Sequence, residues 1–257
     1  MKSYRDKNTL FFDMRRVLLL LILFSNLHFH EVMAQSEAEY KFSPAVDVPL
    51  GAIIFGTGVT GFVKHKRNQP FTEYEVNQLA YSVNSFDYSS INRSYNKRIH
   101  IVSDVGMVMG ILAPFVLLSD KKIRQQSKYI LPIGIETFMM SFAITSMTKE
   151  LVQRTRPYVY YDDVPMSEKI RKDARASFFS GHTSMTATGT FFSAMVYTQM
   201  HPNSKWKPLV WTGAAAFPLG VGLLRYSGGK HYWTDILTGY LVGATIGVLV
   251  PHLHKKR

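Results

Sequence analysis

The 257-residue chain contains no cysteine. That absence excludes disulfides, a thiol nucleophile, cysteine-ligated metal and a lipid-attachment cysteine, so packing alone must hold the fold. Acid is scarce as well: 18 Asp and Glu stand against 30 Lys and Arg, a net charge of +12 with histidine neutral. Such an excess suits a partner bearing phosphates, either lipid headgroups or nucleic acid. Nothing in the sequence resembles a nucleic-acid module, and the basic residues fall mostly in short loops between apolar runs, which favours a membrane surface over nucleic acid. A solvated basic face with no partner is the bland alternative. Mean hydropathy is near zero, low for a protein made only of spans, so apolar segments must alternate with long polar loops. No internal repeat or low-complexity tract stands out.

What is present divides the chain into four parts. Residues 1–34 read as a signal peptide: Arg15 and Arg16 precede the apolar run Val17 to Phe24, and Val32-Met33-Ala34 offers a cleavage site, with an uncleaved signal anchor as the alternative. Residues 35–99 hold a Gly-rich apolar stretch from Pro44 to Val63, long enough to cross or to pack without crossing. A polar, aromatic loop region from Lys64 to Arg98 follows it. That loop reads as a connection, with a lid or substrate contacts as the other use. Residues 100–250 hold five clearer runs, His100 to Leu118, Tyr129 to Thr148, His182 to Met200, Lys207 to Leu224 and Tyr232 to Val250. Residues 251–257 form a basic tail. The expected fold is all-α, a membrane helical bundle of about five to six transmembrane helices. Glu136, alone in an apolar run, is expected to face inward and be paired. His201, His252 and His254 read as surface residues.

Chemistry-bearing residues gather in three places. Arg225 has five residues between it and His231, and His231 has three between it and Asp235. On one helix that last spacing brings carboxylate and ring together, which fixes the imidazole tautomer and frees the other nitrogen to attack. Lys149 is followed by six residues and then Arg156-Pro157, and Ser180-Gly181-His182 opens another apolar run. The nearby residues Arg154, Tyr158, Arg171, Lys172 and Arg175 could touch a headgroup, though most read as ordinary loop solvation, and the pair Asp162-Asp163 suggests a metal only superficially and reads as a solvated loop.

Taken together, these positions resemble the signature of the type 2 phosphatidic acid phosphatase superfamily. It consists of Lys, six residues, Arg-Pro; then Pro-Ser-Gly-His; then Ser-Arg, five residues, His, three residues, Asp. Phe179 replaces the usual Pro and Leu224 the usual Ser. The resemblance implies catalytic roles for His231 (nucleophile), His182 (acid, then base) and Asp235 (orienting group), with Lys149, Arg156, Ser180, Gly181 and Arg225 holding the phosphate. It implies no cofactor and no metal, a lipid phosphate or pyrophosphate as substrate and membrane lipids as surroundings; oligomeric state is left open. A soluble exported acid phosphatase, a haloperoxidase and an inactive membrane scaffold are the competing readings.

Alternating spans put all three motifs on one face. The basic stretches Asp120 to Lys128, Lys205 to Lys207 and His254 to Arg257 lie on the other, which the positive-inside rule makes cytoplasmic, leaving the motifs outside, in the periplasm of a bacterial cell. A cleaved signal followed by a fully crossing Pro44–Val63 segment would reverse that orientation, so the two expectations conflict.

Overall fold

A computed structural model describes residues 39–80, 83–93 and 95–256. The expected signal segment, residues 1–34, lies outside the described residues. Among those described, regular structure is helical apart from one isolated pairing of Tyr40 with Lys255. Six long helices carry the architecture: α1 (Pro44–Arg67), α2 (Lys97–Val116), α3 (Ser127–Val152), α4 (Gly181–Met200), α5 (Lys207–Ser227) and α6 (Trp233–Leu253).

Local sequence sets their limits. Pro44 and Pro208 sit in the first turns of α1 and α5, where a missing N–H costs nothing. Asn96 caps α2, its side chain accepting from the N–H groups of Arg98 and Ile99. Lys64, His65, Lys66 and Arg67 close α1, where cations suit the negative end of the helix dipole.

Helix α4 stands at the centre, with α2, α3, α5 and α6 around it, and α1 packs on the outside of α3. Its composition follows from that position. Thr186, Thr188, Thr190 and Ser193 return their hydroxyls to carbonyls one turn back, so polar side chains are satisfied inside the bundle. Five helical segments are long and apolar enough to cross a membrane, whereas α4 is not among them. The run His182 to Met200, expected to be an ordinary span, is therefore a helix shielded by its neighbours.

Lipid offers little drive for helices to associate, so close packing has to come from small residues. Gly239, Gly243 and Gly247 form one stripe on α6 against α4. A Cβ on Gly239 would lie 2.5 Å from the Ser180 carbonyl oxygen, one on Gly247 2.6 Å from that of Thr188, and one on Gly243 would collide with that of Ser184. The outward faces are the opposite in kind. Val48, Phe55 and Phe62 on α1 and Ile101, Val105 and Phe115 on α2 are exposed, an apolar exterior that fits hydrocarbon and would aggregate in water. The protein is a multi-pass membrane protein.

Helix α1 also runs the full thickness. At its start Asp47 Oδ1 meets His254 Nε2 at 2.9 Å, and at its end Asn68 donates to the Glu150 carbonyl at 2.7 Å, at the far end of α3. Accordingly α1, α3 and α5 run toward one face, and α2, α4 and α6 start from it.

The other face is clasped where residues 39–41 meet residues 254–256. Lys41 N–H donates to the His254 carbonyl at 3.0 Å, Lys256 N–H to the Glu39 carbonyl at 2.7 Å, and the Tyr40 hydroxyl to Gln199 Oε1 at 2.6 Å. His254 is buried, which corrects its reading as a surface residue. Its Nδ1 donates to the Val250 carbonyl at 2.8 Å, and its Nε2 lies 2.9 Å from Asp47 and 3.3 Å from Glu136. Glu136 is thus paired inside the bundle, as its isolation in an apolar run suggested.

Candidate active site

The three motif segments meet at the face where α3 ends and α4 and α6 begin. Helix α6 starts at Trp233, so His231 precedes it and Asp235 lies in its first turn; the expected shared helical face does not exist. The contact survives because the chain enters α6 through Tyr232, whose N–H bonds Asp235 Oδ2 at 3.0 Å, while His231 Nδ1 lies 3.3 Å from the same oxygen. That pairing puts the proton on Nδ1 and leaves the Nε2 lone pair free to accept. Arg156 NH1 sits 3.1 Å from it.

Arg156 is held on both sides. It donates to the Asp173 carbonyl at 2.8 Å, to Asp173 Oδ1 at 2.7 Å and to the Lys230 carbonyl at 3.0 Å. Arg225, at the end of α5, points NH1 at Ser103 Oγ (3.1 Å) and Asp104 Oδ1 (3.3 Å). Its Nε is buried with no partner among the described residues. His182, in the first turn of α4, donates from Nε2 to the same Asp104 oxygen at 2.6 Å. Asp104 therefore joins two motif residues from a helix that carries no motif.

Ser180 is the N-cap of α4, its hydroxyl 2.9 Å from Thr183 Oγ1, and its backbone N–H donates to the Asp235 carbonyl at 3.0 Å, locking the starts of α4 and α6 together. Gly181 faces α3, where an added Cβ would touch Thr145 and the Lys149 side chain. Lys149 Nζ donates to the Ala176 carbonyl at 2.7 Å. Phe179, in place of Pro, is buried beside this loop. All eight residues singled out for catalysis or phosphate binding thus lie at one end of the bundle.

Cations crowd the His231 ring. Burial, and after it the cations Arg156, Lys149 and Arg225, hold the His231 imidazole well below the usual histidine range, favouring the neutral ring. Burial and Arg156 pull Lys230 down to about 8, against the pull of Asp173. Asp173 stays below the usual carboxylate range: burial pushes it up, but Arg156 and Lys230 outweigh that.

Four residues in contact with the motif residues, Asp87 through Arg154, received no site role from the sequence: Asp104, Ser177, Asp87 and Arg154. Ser177 donates to Asp235 Oδ2 at 2.5 Å. Arg154, expected in a solvated loop, instead bonds Asp235 Oδ1 at 2.6 Å and Asp87 Oδ2 at 2.8 Å, and Tyr158, from the same group, is buried. A lone carboxylate in an apolar helix is a readable signal, and Asp104 offers it as Glu136 does. Asp87 and Ser177 sit in aperiodic loops, where no sequence pattern marks them.

The sequence model of the PAP2 superfamily matches residues 133–257. Phospholipid phosphatase 1 of Mus musculus is 38% identical over 87 residues, 32% of this chain and 30% of the mouse protein. Phospholipid phosphatase 2 of Rattus norvegicus is 31% identical over 131 residues, 43% of this chain and 47% of the rat protein. The chain thus spans about a third to a half of the length of these relatives. The crystal structure of a transmembrane PAP2 type phosphatidylglycerolphosphate phosphatase from Bacillus subtilis aligns with TM-score 0.46 and 18% identity, covering 92% of this chain and 94% of that one. At that score the match bears on neither fold nor function.

Proposed function

We propose that the chain belongs to the PAP2 superfamily, whose model matches residues 133–257, and that it is a metal-independent phosphatase acting on a lipid phosphate or pyrophosphate through a phosphohistidine. The observation that carries this reading is the pairing around His231: a neutral ring whose Nδ1 is committed to Asp235 and whose Nε2 faces the buried guanidinium of Arg156. A lone pair aimed into a cluster of cations suits attack on an anion.

A phosphomonoester brings about two negative charges. Arg156, Arg225 and Lys149 hold its non-bridging oxygens, the unpartnered Nε of Arg225 among the donors, and the start of α4 at Ser180 and Gly181 adds the positive end of a helix. Arg156 NH1 lies 3.1 Å from His231 Nε2, near enough to hold a phosphate oxygen beside the attacking nitrogen. His231 Nε2 then forms a bond to phosphorus as the ester P–O bond breaks, and His182 protonates the leaving oxygen. Water next attacks phosphorus, His182 takes its proton, and the P–N bond breaks to release phosphate.

The apolar exteriors of α1 and α2 favour a substrate that arrives from the bilayer over the soluble acid phosphatase reading. We place the site outside the cell membrane, since Lys121, Lys122, Arg124, Lys128, Lys205, Lys255 and Lys256 gather on the other face. In that orientation α1 runs from the inner face to the outer one, with residue 39 inside. With no native cysteine, Asp162→Cys and Lys255→Cys report the two faces cleanly. An impermeant maleimide applied to intact cells should label the first alone, and labelling of the second alone would reverse the orientation.

The activity test is phosphate release in detergent from a panel of lipid phosphates and pyrophosphates with a chelator present. Wild type should release phosphate and His231→Ala should not. Loss of activity on chelation would overturn the metal-free mechanism.

A further inference from the structure

Arg154 lies between Lys149 and Arg156, yet it takes no part in the cation cluster that faces His231. Its NH1 donates to Asp235 Oδ1 at 2.6 Å and to Thr234 Oγ1 at 2.7 Å, its NH2 donates to Asp87 Oδ2 at 2.8 Å, and its guanidinium lies 3.9 Å from the centre of the Tyr232 ring. Both carboxylates are fully buried. A planar fork pinned between two carboxylates and stacked on an aromatic face is held in one orientation, with three of its five N–H donors already engaged.

We infer that Arg154 and Asp87 are positioning residues for the His231 ring, the row His231–Asp235–Arg154–Asp87 fixing which imidazole nitrogen faces the substrate. This rests on the reading of His231 as nucleophile. Every member of the row is committed. Asp235 Oδ2 takes bonds from His231 Nδ1, Tyr232 N–H and Ser177 Oγ, and Oδ1 takes Arg154. Asp87 Oδ1 accepts from Thr234 N–H at 3.0 Å and its Oδ2 from Thr234 Oγ1 at 2.6 Å, so a residue of the 83–93 loop caps the first turn of α6. Asn84 Nδ2 holds Asp87 in turn at 3.0 Å.

The physics runs outward from the ring. Imidazole attacks through Nε2 only while Nδ1 keeps its proton, which requires an ionised acceptor. A fully buried carboxylate stays ionised when a cation and hydrogen bonds compensate it, and Arg154 is the cation in direct contact with Asp235. Asp87 in turn holds Arg154 away from the anion site. The polar loop from Lys64 to Arg98, expected to be a connection, thereby supplies part of the machinery.

The test uses the full chain in detergent micelles with phosphatidic acid as substrate, and 15N-histidine NMR of the same samples, with the His231 signal assigned by its loss in His231→Gln. Asp87→Asn and Arg154→Gln should lower kcat by roughly 10- to 100-fold with KM within about 3-fold. Arg154→Lys, which keeps the charge but not the fork, should recover part of the loss. In wild type the His231 signal should be that of the Nδ1-protonated tautomer, and in Asp87→Asn a mixture. The groups bearing on that signal are Asp235, Arg156, Lys149, Arg225 and His182, all unaltered in these variants. An unchanged kcat in folded variants, a rise in KM alone, or an unchanged tautomer signal overturns the inference. If Arg154→Gln fails to fold, Arg154→Lys decides through the same two readouts. Wild type that releases no phosphate from any lipid of the panel would refute the proposed activity, whereas the NMR arm would still judge the row itself.

Discussion

Two buried histidines flank the last helix: His231 just before α6 and His254 just after it. Both commit Nδ1, the first toward the Asp235 carboxylate and the second to the Val250 carbonyl. They differ in what Nε2 meets. For His231 it is the Arg156 guanidinium, and for His254 it is Asp47 and Glu136. A ring nitrogen among cations awaits an anion, while one between carboxylates has already found its partners. Burial and residue type are the same at both ends, so the sign of the neighbouring charge separates a reacting group from a clasp.

The sharpest way to break that comparison is to exchange each ring for a methyl group. His231→Ala should lower phosphate release by roughly 1000-fold or more while leaving the protein folded. His254→Ala should keep kcat within about 3-fold and cost about 3 kcal/mol of stability, because two half-buried carboxylates lose their partner. Phosphate assay and unfolding in detergent on both variants read the two outcomes. Equal losses of activity would erase the distinction.

Between the two histidines runs the glycine stripe. Gly243→Val drives a side chain into the Ser184 carbonyl and should cost about 3 kcal/mol, measured by unfolding in detergent, disturbing both ends together. A smaller effect comes from pH. His231 has its folded-state pKa depressed, so the unfolded chain takes up a proton that the folded chain refuses, and stability falls as pH drops below about 6.5. His231→Gln should shallow that fall in the stability profile, read by unfolding in detergent across about pH 5.5 to 7.5.

Much of this was legible in the sequence, for reasons particular residues make plain. Six apolar or small-residue runs became six long helices, and Lys149, Arg156, Ser180, His182, Arg225, His231 and Asp235 came to one end because alternating helices return there. The inward pairing of Glu136 followed from the cost of an isolated carboxylate in an apolar run. His254 was misread because a histidine near basic residues gives no sign that the chain folds back beside Asp47. Asp87 was invisible, since its partners Thr234 and Arg154 are far away in sequence and its own segment has no period. The start of α6 fell two residues past His231, yet the His–Asp contact held, because the turn through Tyr232 supplies the same proximity as a helical face.

The hydroxyl-lined centre of the bundle has a consequence for biogenesis. A segment such as α4, too polar to stand among the spanning segments even though its hydroxyls turn back onto its own carbonyls, gains little by entering lipid alone. During synthesis it should therefore leave the translocation channel together with a flanking helix, and the glycine-faced α6, which seats against its carbonyls, is the companion whose arrival completes the passage.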